Sequence, residues 1–220
     1  MKKYTFIVLI FFASFLSAQV MRNEMLGEST PPINSKFLSD QLIIQGLYIR
    51  TLGNFNEVWS SGTGAYLNYG MYFPDHNTLN FQIGYINYSL RDGLDTELDT
   101  LGITDTKLFV IPLLVGGKYF FTDSRFMPYF SFMNGINIIN ETFGFTIETD
   151  AKGNEIIQFE NTGDQTLVRY AWQVGIGIMV NLVSSLNVDL AVKYNSHFYH
   201  TESMNTGFEY GFGLVWSINN

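Results

Sequence analysis

The chain has 220 residues, of which 16% are aromatic and 15% are charged, and it contains no cysteine. The lack of cysteine excludes a disulfide framework, a CxxC metal or redox site and a cysteine nucleophile. The formal net charge of −8 argues against a protein that binds the phosphate backbone of a nucleic acid. The mean hydropathy is only +0.08, so apolar and polar residues must be finely interleaved along the chain.

The first residues have the order of a secretory signal peptide. A basic start at residues 1–3 precedes an apolar run, and small or polar residues follow at 17–19. The apolar run is too short to span a bilayer comfortably as a helix. We therefore predict that residues 1–19 are a cleaved signal peptide and that the polar residues 20–40 form a periplasmic N-terminal segment.

From residue 41 onwards the sequence predicts eight β-strands. In the clearest, Leu167–Leu182, large apolar residues such as Trp172 alternate with small or polar ones such as Gln173. Because side chains alternate across a strand, this segment has two different faces, and helical spacing fits it poorly. The pattern slips at Ile86, where we expect a β-bulge, and it leaves the strand phase of residues 41–51 unassigned.

The connections between these strands alternate in length. The second, fourth and sixth have three or four residues, whereas the first, third and fifth are much longer. In chain order the predicted connections are 52–62, 74–77, 91–105, 122–125, 141–165, 183–185 and 200–204. Outer-membrane barrels have short periplasmic turns, long external loops, an even number of strands and both termini in the periplasm. The pattern predicts an all-β fold, an eight-stranded antiparallel up-and-down transmembrane β-barrel over residues 41–220, in the bacterial outer membrane.

The width of the apolar residues decides which face points inward. The interior of an eight-stranded barrel is just wide enough to be filled by side chains. Large residues in series, such as Phe208, Phe212 and Trp216, do not fit there and must face lipid. A soluble sandwich or lipocalin-like barrel would bury this face instead. An interior filled by side chains leaves no aqueous channel, so we do not expect a porin.

Two segments resemble the small outer-membrane β-barrel family of PorT-like and OmpX-like proteins. Residues 109–115 (FVIPLLV) with 118–121 (KYFF) are similar to a strand of the PorT-like barrels, and residues 213–216 (GLVW) end a glycine-alternating last strand. The chain lacks the terminal Phe of the best-known assembly signal, and we expect Trp216 to serve instead. The resemblance implies either a secretion accessory, as for PorT-like members, or a surface-exposed adhesive role, as for OmpX-like members.

Few charged residues fall on the predicted inward face. We expect them to form a structural network in the lumen, because a lone charge there would be costly; the alternative is a proton or ion path. Lys193 is predicted to lie diagonally beside Glu209. The candidate luminal residues are Lys118, Arg169, Asp189, Lys193 and Glu209. No phosphate-binding loop and no metal-ligand spacing occurs, so no cofactor is expected.

The external loops are acidic, with most of the acids in residues 91–105 and 141–165. A solvated loop surface is the plain interpretation, and divalent-ion bridging to anionic lipid is the alternative. Within the longest loop, residues 143–147 and 157–159 alternate around turn residues at 150–154, which predicts a β-hairpin that extends the fifth and sixth strands. Expected partners are outer-membrane lipid and lipopolysaccharide, the barrel-assembly machinery and an extracellular or secretion-system protein, but not nucleic acid.

His200, Glu202 and Ser203 lie together at the last external loop. Such residues are the ingredients of a hydrolase triad, and lipid A deacylases of the outer membrane use a similar set on an eight-stranded barrel. The chain departs from that family because Thr201 and Glu202, not x-Ser, follow His200. We therefore predict a non-enzymatic barrel with a structural, surface-interaction or secretion-accessory role, and the alternative is an outer-membrane lipid hydrolase.

Overall fold

The computed structural model describes most of the chain from residue 40 onwards. The described residues are 40–73, 76–103, 106–149, 155–160, 164–183, 185–199 and 203–218. The predicted signal peptide, and the predicted periplasmic segment up to residue 39, lie outside these residues.

Eight antiparallel strands close into one barrel, which confirms the predicted fold. The barrel strands are β1 (Asp40–Leu52), β2 (Trp59–Phe73), β3 (Asn77–Leu90), β4 (Leu108–Phe120), β5 (Phe126–Glu141), β8 (Gln165–Val183), β9 (Leu186–Tyr199) and β10 (Ser203–Ile218). Each strand pairs with the next barrel strand along the chain, and β1 pairs with β10 to close the sheet. A separate two-stranded sheet, β6 (Gly144–Thr149) and β7 (Glu155–Glu160), lies in the connection between β5 and β8.

The long and short connections gather at opposite ends of the barrel, called here the long-loop end and the short-turn end. Two of the long connections contain short helices that the sequence analysis did not predict, α1 (Phe55–Val58) and α2 (Leu94–Thr100). Gly93 enters α2 with φ of 90°, a left-handed conformation that glycine adopts without steric cost. Among the described residues, no helix is long and apolar enough to cross a membrane.

The structure assigns the phase of β1, which the sequence left open. Gln41, Ile43 and Gln45 are buried in the lumen, whereas Ile44 and Tyr48 point outward and are half exposed. The inward residues of β1 therefore include aliphatic ones, and this is why the alternation of apolar and polar residues is weak there.

The predicted β-bulge at Ile86 is wrong. The pairing of β3 with β2 and with β4 keeps one register through Ile86, and the irregularity in the β2–β3 ladder lies between Trp59 and Ser61 instead. Ile86 is apolar because the lumen itself is apolar at this height, where Ile86 and Tyr88 are both buried.

The outward surface is a wall of exposed apolar side chains, as predicted. Many mid-strand positions are aliphatic or Phe, including Leu67, Ile83, Ile176, Leu190 and Phe212. Exposed aromatic residues occur near both ends: Tyr119, Phe121, Phe126 and Trp216 at the short-turn end, and Tyr48, Tyr170, Phe208 and Tyr210 toward the other. Phe120, between Tyr119 and Phe121 in the sequence, is fully buried in the lumen.

Substitutions on β8 test the polarity of this wall. Ile176 is 65% exposed at mid-strand, and Thr166 points the same way at the long-loop end of the same strand. If lipid covers the wall, Ile176→Arg should lower the free energy of unfolding by about 2–4 kcal/mol and Thr166→Arg by about 0–1 kcal/mol. Urea titration in lipid vesicles measures both changes. Equal losses for the two variants would contradict a lipid-covered wall.

Candidate functional site: the luminal network and the loop cap

The lumen is filled by side chains in layers. An apolar cluster that includes Ile43, Phe120 and Met127 occupies the short-turn end. Buried charged and amide side chains fill the middle, and a larger apolar cluster fills the long-loop end. A cavity of about 20 Å³ beside Asn137 and Gln173 leaves room for about one water molecule, which does not amount to a channel.

The first half of the polar layer is centred on Asp189, which is 1% exposed. Lys118 Nζ lies 3.2 Å from Asp189 Oδ2 and 4.5 Å from the centroid of the Tyr129 ring. The Tyr129 hydroxyl donates to Asp189 Oδ1 at 2.6 Å. The carboxylate thus accepts hydrogen bonds from an ammonium and from a neutral hydroxyl, and the ammonium lies over an aromatic face, an arrangement that stabilises both buried charges.

The second half repeats this chemistry around Glu209, which is fully buried. Lys193 Nζ lies 3.0 Å from Glu209 Oε1 and 5.0 Å from the centroid of the Tyr66 ring. The Tyr66 hydroxyl donates to Glu209 Oε2 at 2.6 Å. Two amide groups, Asn195 Nδ2 at 2.7 Å and Gln173 Nε2 at 3.1 Å, donate to the same oxygen.

Gln45 joins the two halves. Its Oε1 accepts a hydrogen bond from Lys193 Nζ at 3.0 Å, and its Nε2 donates to Asp189 Oδ2 at 3.4 Å. The network therefore contains two lysines and two carboxylates and is formally neutral. Neutrality and hydrogen bonding are what make burial of four charges tolerable.

Glycines on the neighbouring strands make room for the two tyrosine rings. A Cβ at Gly177 would lie 2.4 Å from Tyr129 Cζ, and a Cβ at Gly84 would lie 2.2 Å from Tyr66 Cδ1. Each ring therefore lies directly against backbone. The inward-facing glycines of these strands serve this packing, in a lumen that has little room to spare.

The structure brings four of the five predicted luminal residues together: Lys118, Asp189, Lys193 and Glu209. Arg169 takes no part in their contacts and lies opposite Asn137 in the β5–β8 register. Lys193 is directly opposite Glu209, not diagonal to it as predicted. The sequence analysis missed the other members of the network: Gln45, Tyr66, Tyr129, Gln173 and Asn195.

The apolar cluster at the long-loop end is made by three connections that fold over the barrel mouth. We call this cluster the loop cap. It comprises Phe55 and Val58 from the first long connection and Trp59 at the start of β2, Leu98 and Ile103 from the second connection, and Phe143, Phe145, Ile157 and Phe159 from the third, packed on strand residues. Trp59 stacks on Phe143 at 5.5 Å between ring centroids, and Phe143 meets Phe159 edge-on at 5.8 Å. An ion pair between Arg91 and Glu57 also joins the first two connections.

The predicted hairpin in the third long connection forms, with Phe145 opposite Phe159 and Ile147 opposite Ile157. It does not extend the barrel strands, however, because β6 and β7 make a sheet of their own. The prediction of a continuous extension is therefore wrong. The physical reason is that the hairpin buries its aromatic side chains in the loop cap, which requires it to depart from the direction of the barrel wall.

The residues proposed for a hydrolase fall largely outside the described part of the chain. His200 and Glu202 are not described, and Ser203 begins β10, where it pairs with Tyr199 in register. Among the described residues, no group of three or more His, Asp or Glu side chains is placed to hold a metal ion.

Removing one charge from the network tests its balance. Asp189→Asn leaves Lys118 buried without its counter-charge and should lower the free energy of unfolding by about 3–5 kcal/mol. The double variant Lys118→Met/Asp189→Leu removes both charges and should lose clearly less. Urea titration of both variants gives the comparison. A double variant that is as unstable as Asp189→Asn would show that the cost is one of packing and not of charge.

Comparisons with known proteins support the fold. No protein-family model and no curated protein sequence matches the chain. Among solved structures, neisserial surface protein A is 14% identical to this chain, with a TM-score of 0.50. The match covers 81% of this chain and 97% of the neisserial chain. The attachment invasion locus protein Ail of Yersinia pestis is 10% identical (TM-score 0.48, 81% and 99% covered), and the outer membrane enzyme PagL is 12% identical (TM-score 0.44, 80% and 99% covered). The chain has the fold of the small eight-stranded outer-membrane β-barrels.

Proposed function

We propose that the protein is an integral outer-membrane barrel without enzymatic activity that presents its loop cap to a partner protein at the cell surface. The observation that carries the proposal is the single apolar core shared by the three long connections. In this proposal a signal peptide exports the chain, both termini are periplasmic and the cap is extracellular, since the start of β1 and the end of β10 lie at the short-turn end.

The outward wall supports the membrane location. Apolar side chains such as Ile176 and Phe212 are more than half exposed along its middle. An exposed apolar surface of this extent on an isolated protein marks contact with a membrane or with another protein. A band of aliphatic residues between two aromatic girdles is the pattern that a bilayer requires of a barrel.

The filled lumen favours a structural role over transport. Two apolar clusters close it at both ends, and a neutral ionic layer occupies the middle. A path for ions or protons would need either space or a chain of exchangeable groups that reaches both ends. The filled lumen therefore favours a role for the barrel as a rigid scaffold that holds the loop cap.

The cap is suited to recognition because its shape is fixed before binding. Phe143 and Trp59 are fully buried between the three connections. Because the cap is already ordered, this protein would lose little conformational entropy when a partner binds. The hairpin β6–β7 has two strands only, and its outer edges offer backbone groups to an extended segment. The acidic composition of residues 91–105 and 141–165 favours a basic partner segment. Either an adhesive, OmpX-like role or a PorT-like secretion role would use this surface.

A single cysteine tests the topology, since the natural chain has none. Gln158 is exposed on β7, on the face away from the cap core, and Ser124 is exposed in a short turn. Gln158→Cys should react with a membrane-impermeant maleimide on intact cells, and Ser124→Cys only after the outer membrane is opened. The reverse pattern would overturn the proposed orientation.

The same variants test the recognition role. A photoactivated crosslinker attached at Gln158→Cys should give one discrete adduct with a partner protein in intact cells, and the Ser124→Cys control should not give it. Phe143→Ala removes a fully buried cap side chain and should loosen the cap, so the adduct should fall several-fold while the barrel remains in the membrane. Adducts unaffected by Phe143→Ala, or identical at both positions, would contradict recognition by an ordered cap.

The absence of enzymatic activity is tested on lipid. If the protein is not a lipid hydrolase, the acylation pattern of lipid A measured by mass spectrometry should be identical in cells with the wild type, with Ser203→Ala and without the protein. A hydrolysed species that depends on Ser203 would replace the proposed function by the enzymatic one.

A further inference from the structure

The outward face of β1, β2 and β3 changes character abruptly near the long-loop end. The pairing register arranges its residues in rows. The two rows closest to the long-loop end are Arg50, Ser61 and Ser89, and then Tyr48, Thr63 and Asn87. We call these six residues the polar shelf.

The polar shelf combines one cation with hydroxyl and amide groups and contains no acid. Arg50 is exposed and points outward, as do Thr63, Asn87 and Ser89. Among the described residues, Arg50 has no ion-pair or hydrogen-bond partner. A guanidinium among neutral donors is the side-chain chemistry that binds phosphate oxygens.

The height of the shelf places it at the level of lipid headgroups. Arg50 faces Phe208 in register, and Phe208 packs on Tyr194, which packs on Trp172. Tyr48 in the second row stacks on Tyr210. Aromatic residues of this kind lie at the membrane–water interface of membrane proteins, so Arg50 stands at the end of the aromatic girdle.

Directly below the shelf, the same three strands form an apolar groove. The next row contains Gly46, which has no side chain, Ala65 and Tyr85. The surface is recessed at Ala65, beside the Tyr85 ring. The groove measures about 380 Å³ and is lined by Ile44, Ala65, Tyr66, Leu67, Ile83 and Gly84. Ala65 lies two rows below Arg50, about 13 Å along the strand. A polar headgroup and an acyl chain of one lipid molecule can span this distance.

We propose that these residues form a binding site for one phosphorylated membrane lipid, with its phosphate on Arg50 and the polar shelf and an acyl chain in the groove. The inference rests on the proposed membrane location but not on recognition by the loop cap. Two features of the same wall, a cation without a partner among the described residues and a recess in the apolar surface, are both accounted for by one amphipathic ligand.

The test uses the full-length folded barrel in micelles of an uncharged detergent. Bound lipid is counted by native mass spectrometry, with dimyristoyl phosphatidic acid as the probe and dimyristoylglycerol, which has the same chains and no phosphate, as its counterpart. Arg50→Gln should weaken binding of phosphatidic acid about tenfold and leave binding of the diacylglycerol unchanged. Arg50→Lys keeps the charge and should retain part of the affinity.

Two further variants make the result specific. Lys107→Gln removes an exposed cation at the same end of the barrel but outside the shelf, and it should leave phosphatidic acid binding within about twofold of wild type. Ala65→Phe fills the groove and should weaken binding of both lipids. Each variant is first shown to be folded by its mobility on unheated gels, and none of them touches the loop cap.

The proposal fails if Arg50→Gln binds phosphatidic acid as wild type does, or if Lys107→Gln loses as much. It also fails if Ala65→Phe has no effect on either lipid. Because no partner protein is present in this experiment, a failure here leaves the recognition role of the cap standing, and failure of the crosslinking experiment leaves the lipid site standing.

Discussion

A closed sheet of eight strands encloses just enough space for side chains to meet across it, and this limit shapes the whole molecule. Every inward position must be filled without excess, so two tyrosine rings, Tyr66 and Tyr129, require glycine on the strands they cover. Charges in so narrow a space have no bulk water, so Lys118 and Lys193 each pair with a carboxylate. Successive wide residues such as Phe208, Phe212 and Trp216 fit only on the outward face, where they form part of the apolar wall.

The same limit explains which strands could be predicted from the sequence. In β8, β9 and β10 most inward residues are glycine, alanine, amide or charged, so the period of two stands out in the sequence. In β1, β3 and β4 the inward side chains near the long-loop end are apolar, as Ile49, Ile86 and Val110 show. Both faces of those segments are then apolar, and periodicity alone cannot show which residues face lipid and which pack in the loop cap.

The candidate sites were predictable to different degrees for the same kind of reason. A charge on the inward face of a barrel strand can be read from alternation, and four such charges do meet in the lumen. Tyr129 was not predicted as a luminal residue, because an aromatic residue near a strand end usually belongs to the aromatic girdle at the membrane interface. The loop cap depends on contacts between residues far apart in sequence, such as Trp59 with Phe143. No local sequence pattern predicts such contacts.

The ionic layer also helps to fix a single pairing register for the barrel strands. Two of its contacts run between strands that are not neighbours in the sheet: Asp189 on β9 meets Lys118 on β4, and Glu209 on β10 meets Tyr66 on β2. A slip of one residue in any strand would turn its inward side chains outward. For the strands that carry Lys118, Asp189 or Glu209, that slip would place a charge in lipid and leave its partner buried alone. The apolar wall and the apolar end clusters do not discriminate in this way, because an aliphatic residue is tolerated on either face. Four buried charges therefore contribute little net stability, but they make the alternatives to the native register costly.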